Sequence, residues 1–285
     1  MERLQKLMAQ ANIGSRRECE KIIEQGRVRV NGRIAKLGNK ADPITDKIEV
    51  DGRTLTISRE TLVYVALNKP KGVISSLEDE LQQNRKTVRD LIPLPGHLYP
   101  VGRLDKQSEG LMLMTNDGDI AHKLTHPRFG HEKTYHVVVE GFLSDQSIEK
   151  WQRGGMPLDG KYTAPAKIVI IRQERKFTQL KVTLREGRKR QIRRIANMLG
   201  HSVRELVRES IGPIKLGKLK SGQWRHLHPE EIEELRRSVL HQSVKEKPAQ
   251  KRRRSGKSRR PRSQHRPSGK NYRRGAEKQK KKKKK

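Results

Sequence analysis

The sequence of 285 residues predicts an α+β protein made of two folded domains and a basic tail. Near the amino terminus, helical periods are followed by a strand period, which predicts a small domain over residues 1–60. Over residues 61–240, strand patterns and helical patterns alternate irregularly, which is typical of the α+β class. Residues 241–285 are rich in Lys and Arg and nearly devoid of apolar side chains, so we expect a disordered tail.

The charge of the chain is large and uneven. The formal net charge is +34, and residues 245–285 alone carry 21 Lys or Arg against two Glu. A polyanion is therefore the expected partner, and the tail is expected to contact phosphate groups without regard to sequence. We expect no signal peptide and no membrane association, because no apolar run approaches the ~18–20 residues that span a bilayer. The single Cys19 excludes an internal disulfide and a multi-thiolate zinc site and favours the cytoplasm.

The amino-terminal domain is predicted to contain two helices and a hairpin. Apolar residues recur at helical spacing over residues 4–11. Ser15 and Glu18 then have the spacing of a capping box, which predicts the start of a second helix. A strand pattern over residues 28–30 leads into Asn31-Gly32, the strongest short hairpin signal.

The order of these segments points to RNA. They contain Arg3-Leu4, Gly14-Ser15-Arg16-Arg17, Ile22 and Gly26-Arg27-Val28-Arg29-Val30-Asn31-Gly32. In this order and spacing they resemble an S4 RNA-binding domain over residues 2–60. The resemblance implies that the surface formed by the two helices binds structured RNA, with Arg16, Arg17 and Lys21 of the second helix contacting phosphate groups. Taken alone, three basic residues would be more typical of a solvated helix face.

The second domain is predicted to place an aspartate beside buried strands. The apolar run 62–67 predicts a buried strand that ends at a turn. Asp105 lies in a loop that enters the apolar run 111–115, a second predicted strand. Residues 135–139 have a strand pattern, and residues 188–199 predict a helix with one apolar face.

Four motifs of this domain carry the functional prediction. They are Asn68-Lys69-Pro70-Lys71-Gly72, Gly102-Arg103-Leu104-Asp105-Lys106-Gln107-Ser108-Glu109-Gly110-Leu111, Lys133-Thr134-Tyr135 and Glu186-Gly187-Arg188-Lys189-Arg190-Gln191-Ile192-Arg193-Arg194. Their order and spacing resemble those of the pseudouridine synthase family over residues 61–235. With the S4-like domain in front, the chain is similar to the branch of this family that modifies ribosomal RNA. The resemblance implies a catalytic domain built on a mixed or antiparallel sheet.

The resemblance also implies a reaction. Converting uridine to pseudouridine breaks the bond between N1 and C1′, turns the uracil in the site and rejoins it through C5. Atoms and redox state balance, so neither a cofactor nor a metal is expected. A carboxylate suffices to assist, either as a nucleophile at C1′ or as a base that removes the 2′-proton. The resemblance assigns this carboxylate to Asp105.

The other candidate site residues follow from the same resemblance. Tyr135 would stack on the target uracil, and Arg193 would keep the catalytic carboxylate ionised in a dry pocket. Arg103 would help to hold the flipped nucleotide out of its helix. Taken singly, these side chains could be an ordinary strand aromatic and two surface charges, but that interpretation leaves the order of the motifs unexplained. Further RNA contacts are expected from Lys69, Lys71, Arg188 and Arg190.

Three weaker patterns point elsewhere and are discounted. Residues 212–218 have the glycine and lysine spacing of a P-loop, but Leu219 replaces the Ser or Thr that binds magnesium. His122 and His126 lack a third metal ligand. Glu109, a second carboxylate in the aspartate loop, is weak evidence for a paired-carboxylate glycosidase or a metal-dependent nuclease.

A non-catalytic RNA-binding or ribosome-assembly protein with the same fold is the main alternative. The presence of all three residues assigned to catalysis favours the enzyme. The long basic tail resembles that of large-subunit enzymes of this branch, so we expect 23S rather than 16S rRNA as the substrate, either free or in a pre-ribosomal particle. We expect the protein to act as a monomer.

Overall fold

The computed structural model describes residues 1–56 and 61–244. The expected disordered tail lies outside these residues, except for its first four, which form the end of the last helix. The helices of the described part are α1 (Leu4–Gln10), α2 (Arg16–Glu24), α3 (Gly118–Thr125), α4 (Asp145–Arg153), α5 (Gln191–Met198) and α6 (Pro229–Val244), with a 3₁₀ turn at Pro127–Phe129.

The strands fall into an amino-terminal group and a central group. The first comprises β1 (Glu2–Arg3), β2 (Val28–Val30), β3 (Arg33–Ile34), β4 (Lys40–Ala41), β5 (Ile48–Val50) and β6 (Arg53–Thr54). The second comprises β7 (Tyr64–Lys69), β8 (Tyr99–Pro100), β9 (Glu109–Thr115), β10 (Lys133–Glu140), β11 (Pro157–Leu158), β12 (Lys161–Tyr162), β13 (Lys167–Glu174), β14 (Phe177–Leu184), β15 (Val203–Ile211), β16 (Ile214–Lys215) and β17 (Trp224–His226).

The predicted local elements of the amino-terminal domain are confirmed. The Ser15 hydroxyl accepts from the Glu18 amide at 3.3 Å, and the Glu18 carboxylate accepts from the Ser15 amide at 2.6 Å, which completes the capping box of α2. Asn31 and Gly32 have φ values of 50° and 77°, as the turn between β2 and β3 requires. The two helices pack on a sheet of order β3-β2-β5-β6 around one apolar core.

The central sheet consists of two antiparallel halves joined by a parallel contact. Its strand order is β13-β14-β10-β15-β9-β7-β17, and only the β15–β9 pair is parallel. That pair has two registered positions, Val207 with Glu109 and Arg208 with Gly110. We call this contact the seam. The predicted α+β class and mixed sheet are therefore confirmed.

Helices cover each half of the sheet. Helices α4 and α5 cover one face of the half that contains β10, β13 and β14, and the buried Trp151 belongs to that core. Helices α3 and α6 cover one face of β7 and β9. On the other face of these two strands lies the segment between them, through Val88, Ile92 and Leu98. Because successive strand residues alternate between faces, β7 supplies both cores and is buried except at the half-buried Asn68.

Two predicted features differ in detail or meaning. The helix predicted from residue 188 begins at Gln191, because Arg190 has a left-handed φ of 52° and ends the preceding loop. The P-loop-like stretch begins as a hairpin: Gly212 and Pro213 turn β15 into β16. No phosphate loop between a strand and a helix forms there. Within residues 1–56 and 61–244, no helix combines the length and apolarity needed to cross a membrane.

Gly110 permits the close approach of the strands at the seam. Its φ is +100°, and a Cβ at this position would lie 2.4 Å from the Arg208 carbonyl oxygen and 2.5 Å from the Arg208 amide nitrogen. Both atoms belong to backbone that is held on its other edge by β10. A side chain at position 110 would therefore force the two halves of the sheet apart.

Gly110→Ala should accordingly destabilise the fold by about 3–5 kcal/mol, since it combines backbone strain with a clash against fixed backbone. Gly155→Ala is the matched control, because Gly155 has a φ of +74° but open space around its Cβ position. The control should lose only about 1–2 kcal/mol. Urea unfolding of both variants measures the two losses, and equal losses would show that the seam tolerates a side chain.

His131 is a buried histidine just before β10. It is 2% exposed, and within the described residues its Nε2 has no hydrogen-bond partner. Burial lowers the pKa of His131 to about 4, and the nearby Lys133 acts in the same direction. The imidazole is therefore neutral in the folded protein at neutral pH.

This burial predicts a loss of stability in acid. Unfolding exposes an imidazole of pKa 6.5, so the unfolded chain binds the proton more tightly between pH 6.5 and about 4. The contribution of the neutral, buried imidazole to the free energy of unfolding is therefore fully present above pH 6.5. It decreases as the pH falls from 6.5 to about 4, and about 2 kcal/mol of it is lost at pH 5. Urea unfolding at pH 7.5 and 5 should show a smaller pH effect for His131→Gln than for wild type. His97→Gln, which alters an exposed histidine, should behave like wild type.

Candidate active site

A cleft of about 320 Å³ opens beside the seam. It is lined by Arg103, Asp105 and Ser108 from the loop before β9, by Tyr135 from β10, and by the loop and helix start at residues 187–192. Its volume is at the lower end of the range for small-molecule pockets. The structure thus brings together three of the four sequence motifs around one cavity, and the fourth lies directly behind it.

The loop that carries Asp105 is held at three points. The Ser108 amide donates to the Asp105 carbonyl at 3.0 Å and closes the turn. The Ser75 hydroxyl donates to the Leu104 carbonyl at 2.8 Å and accepts from the Leu104 amide at 3.0 Å. From below, the ammonium of Lys69 donates to the Ser108 carbonyl at 2.8 Å. The carboxylate is therefore presented from a rigid turn.

Lys69 is the buried support of this loop. Its side chain is fully buried at the end of β7, and the ammonium also donates to the carbonyls of Pro70 at 2.9 Å and Lys106 at 3.5 Å. Burial lowers the pKa of Lys69 to about 8, while the carboxylates of Glu109 and Asp105 oppose the shift. A buried cation is tolerated here because backbone carbonyls and nearby carboxylates replace its water.

Arg193 reaches the loop from α5. Its guanidinium donates to the carbonyls of Gln107 at 2.9 Å and Val203 at 3.1 Å. Burial lowers the pKa of Arg193, and the charge of Arg190 adds to this effect, whereas the Asp105 carboxylate opposes it. Arg193 is thus close enough to Asp105 to interact through charge, while its strong hydrogen bonds go to backbone carbonyls. Within the described residues its buried Nε has no hydrogen-bond partner.

Tyr135 forms one wall of the cleft. It is half-buried on β10 and packs against the cores of both halves of the sheet. Its neighbours across β15 and at the start of β10 are the buried Arg208 and the half-buried Lys133. Burial lowers the pKa of Lys133 to about 8, and the Arg208 charge adds to the shift. An aromatic face beside one carboxylate and several cations suits a planar base attached to a phosphate backbone.

The residues of the opposite wall are fixed by a polar network. The Glu186 carboxylate accepts from the Gln191 side-chain amide at 2.8 Å and from the Ala164 amide at 2.9 Å. The Arg188 guanidinium donates to the carbonyls of Leu158 at 3.1 Å and Lys161 at 2.9 Å, and also to that of Tyr162. These bonds attach the wall to the β11–β12 hairpin.

Comparison with known proteins decides the family. The RNA pseudouridylate synthase family model matches residues 63–198, and the S4 domain model matches residues 2–43. Ribosomal large subunit pseudouridine synthase B of Bacillus subtilis is 42% identical over 85% of this chain and 98% of that protein. The chain belongs to the RNA pseudouridine synthase family. Both resemblances seen in the sequence are confirmed, and with them the assignment as an isomerase that acts on RNA.

Other members of the RNA pseudouridine synthase family support this conclusion. An uncharacterized RNA pseudouridine synthase of Aquifex aeolicus is 41% identical over 83% of this chain and 94% of that protein. The dual-specificity RNA pseudouridine synthase RluF of Escherichia coli is 35% identical over 87% of this chain and 83% of that protein. A crystal structure of a pseudouridylate synthase aligns with a TM-score of 0.60 at 32% identity, and covers 82% of this chain and 100% of that one.

Two residues expected to contact RNA have partners within this synthase. Lys69 is fully buried and donates to three carbonyls. Arg188 uses its guanidinium on the β11–β12 hairpin and on the Glu186 carboxylate. The expectation of RNA contact is therefore corrected for Lys69, whose side chain points into the protein, whereas Arg188 is half-buried at the cleft and its contact with RNA stays a prediction. Their roles are to support the two walls of the cleft.

The other expected RNA contacts of the synthase are accessible. Arg103 and Arg190 are exposed at the cleft, and Lys71 is half-exposed and pairs with Glu109 at 3.5 Å. On α2, all three residues predicted to contact phosphate groups are exposed, namely Arg16, Arg17 and Lys21. RNA contact by these residues stays a prediction. In the described part of the chain, no three His, Cys, Asp or Glu side chains are grouped so that they could hold a metal ion.

Two further cations beside the cleft of this synthase have no role predicted from the sequence. Arg208 is buried and Lys133 is half-buried, and both lie next to Tyr135. The sequence feature that points to Arg208 is its position two residues after Leu206, on the same inward face of β15. That feature can be recognised only when the face of the strand is known.

The two lysines of the first motif should have separable effects. Lys69→Met leaves the loop carbonyls unpaired, so we expect kcat to fall about 10–100-fold while RNA affinity stays within about twofold. Lys71→Met is the matched control, since it removes an accessible charge two residues away. It should weaken RNA binding and reduce its salt dependence with little change in kcat. Filter-binding and turnover assays at several salt concentrations measure both, and a reduced salt slope for Lys69→Met would contradict its internal role.

Proposed function

We propose that the protein converts uridine to pseudouridine at a specific site in ribosomal RNA of the large subunit, with Asp105 as the catalytic carboxylate. The observation that carries the proposal is the position of Asp105, on a rigid turn at a cleft that Tyr135 also lines, with the charge of Arg193 close to its carboxylate. The large-subunit target is supported by the name of the Bacillus subtilis relative and by the basic tail.

In the proposed reaction, each cleft residue has one task. The Asp105 carboxylate acts on the ribose, as a nucleophile at C1′ or as a base toward the 2′-proton. The ring of Tyr135 stacks on the uracil, which stays bound while it turns and presents C5 to C1′. Arg193 keeps a positive charge near the carboxylate, within a site that is proposed to exclude water during the reaction.

Affinity for RNA is proposed to come from outside the cleft. The S4 domain presents Arg16, Arg17 and Lys21, the cleft rim presents Arg103 and Arg190, and residues 245–285 add 21 Lys or Arg. Such contacts neutralise phosphates and release counterions, which strengthens binding at low salt. We further propose that the protein acts as a monomer in the cytoplasm, on free rRNA or on a pre-ribosomal particle.

The test is pseudouridine mapping on unmodified 16S and 23S transcripts and on isolated subunits, with no added cofactor. Wild type should modify one position in 23S rRNA. Asp105→Asn is nearly isosteric and should lose at least about 1,000-fold in rate, because it removes the charge that acts on the ribose. Glu109→Gln, which alters the second carboxylate of the loop, is the control and should stay within about tenfold of wild type.

Each result bears on the proposal. A modified position only in 16S rRNA would overturn the large-subunit target. Turnover by Asp105→Asn would overturn the catalytic assignment. Tight RNA binding without modification of any transcript or subunit would favour an assembly factor.

A further inference from the structure

Arg208 is a buried cation that the proposed mechanism does not use. It is 2% exposed and lies on β15 directly opposite Tyr135 on β10. Side chains of directly opposed residues on antiparallel strands project to the same face and touch. Arg208 therefore lies behind the ring that forms a wall of the cleft.

The guanidinium is fixed from one side by β9. Its Nε donates to the Leu111 carbonyl at 2.7 Å, and its Nη2 lies 3.7 Å from the Met112 sulfur. On the other side it faces the hydroxyl of Tyr135, close enough for the two groups to interact. The side chain thus crosses the seam and ties the tyrosine of one half-sheet to the strand that follows the Asp105 loop in the other.

Stability does not explain this arrangement. The partners of Arg208 are a carbonyl, a thioether and a phenol, none of which is a carboxylate. Burial lowers the pKa of Arg208, and its charge also disfavours the ammonium forms of Lys69 and Lys133. Apolar residues of similar volume often replace buried charges at no loss of stability. The presence of a buried cation at this position is therefore better explained by a function in the neighbouring cleft.

We propose that Arg208 is a positioning residue for the isomerisation: it holds the Tyr135 phenol, and with it the stacking face for uracil, in register with the Asp105 loop. The inference rests on the proposed function. Once the bond between N1 and C1′ is broken, only non-covalent contacts keep the uracil near the ribose. A ring that is fixed relative to the carboxylate lets the base turn without losing its distance to C1′.

The kinetic test is a double-mutant cycle on the 23S transcript, with Arg208→Met, Tyr135→Phe and the combined variant. Arg208→Met should lower kcat about 10–100-fold and change KM less than about threefold, because geometry and not affinity is lost. Arg208→Lys should recover part of the rate. The combined variant should be no slower than Tyr135→Phe, since Arg208 acts through the hydroxyl that this variant lacks.

A second measurement is independent of activity. In protein labelled with 3-fluorotyrosine, the ¹⁹F signal of Tyr135 is assigned by its absence from Tyr135→Phe. The signal should shift or broaden in Arg208→Met and move back in Arg208→Lys, while those of Tyr64 and Tyr99 stay in place. Arg204→Met is the control, because Arg204 is an exposed arginine of the same strand that pairs with Glu140. It should leave both the signal and the rate unchanged.

The outcomes separate this inference from the proposed function. Multiplicative rate losses in the combined variant, or a Tyr135 signal that is unchanged in Arg208→Met, would overturn the positioning role. If Arg208→Met does not fold, the test uses Arg208→Lys and Tyr135→Phe instead. The inference is then overturned if Arg208→Lys has both the wild-type signal and the wild-type rate and Tyr135→Phe also has the wild-type rate. An inactive wild type would contradict the proposed function, whereas the ¹⁹F signals would still report on the contact.

Discussion

The site depends on the parallel contact between β9 and β15. Two antiparallel half-sheets are joined there through only two registered residue pairs, and Gly110 lets their backbones approach at a distance that a Cβ would prevent. One half carries the Asp105 loop, and the other carries Tyr135 and the wall of the cleft. The distance between the carboxylate and the ring is therefore set by the seam, so that a small change in strand spacing would act directly on the chemistry.

Positive charge is concentrated inside the protein around this contact. Lys69 and Arg208 are withdrawn from water and Lys133 is half-buried, and burial lowers the pKa of each. Such charges cost stability, yet each is satisfied by backbone carbonyls or by polar side chains rather than by ion pairs. In a region of low dielectric, they favour negative charge in the neighbouring cleft, whether on the Asp105 carboxylate or on a base that leaves with an electron pair. Positive charge in the interior of this synthase thus favours negative charge in the cleft, whereas positive charge on its surface suits a polyanionic partner.

Neighbouring basic residues of one motif serve opposite purposes. Lys69 ends a strand and points into the core, whereas Lys71 follows the turn and reaches solvent. Arg188 is bonded to the β11–β12 hairpin, whereas Arg190, in a left-handed conformation, is exposed at the cleft. A cluster of basic residues within one motif is therefore a mixture of structural supports and accessible side chains, and the division follows from the local backbone direction.

The sequence by itself determined the local elements and the family chemistry. The capping box of α2, the Asn31-Gly32 turn and the loop before β9 depend on residues close together in the chain, so their patterns could be recognised directly. The motifs likewise placed Asp105, Tyr135 and Arg193 in one site. Only the tertiary structure decided that Lys69 faces inward, that the Arg188 guanidinium binds the β11–β12 hairpin and that Arg208 lies behind Tyr135. Arg208 and its partner Leu111 are separated by 97 residues, and their contact depends on strand order and register, which arise from packing between distant segments and leave no local pattern in the sequence.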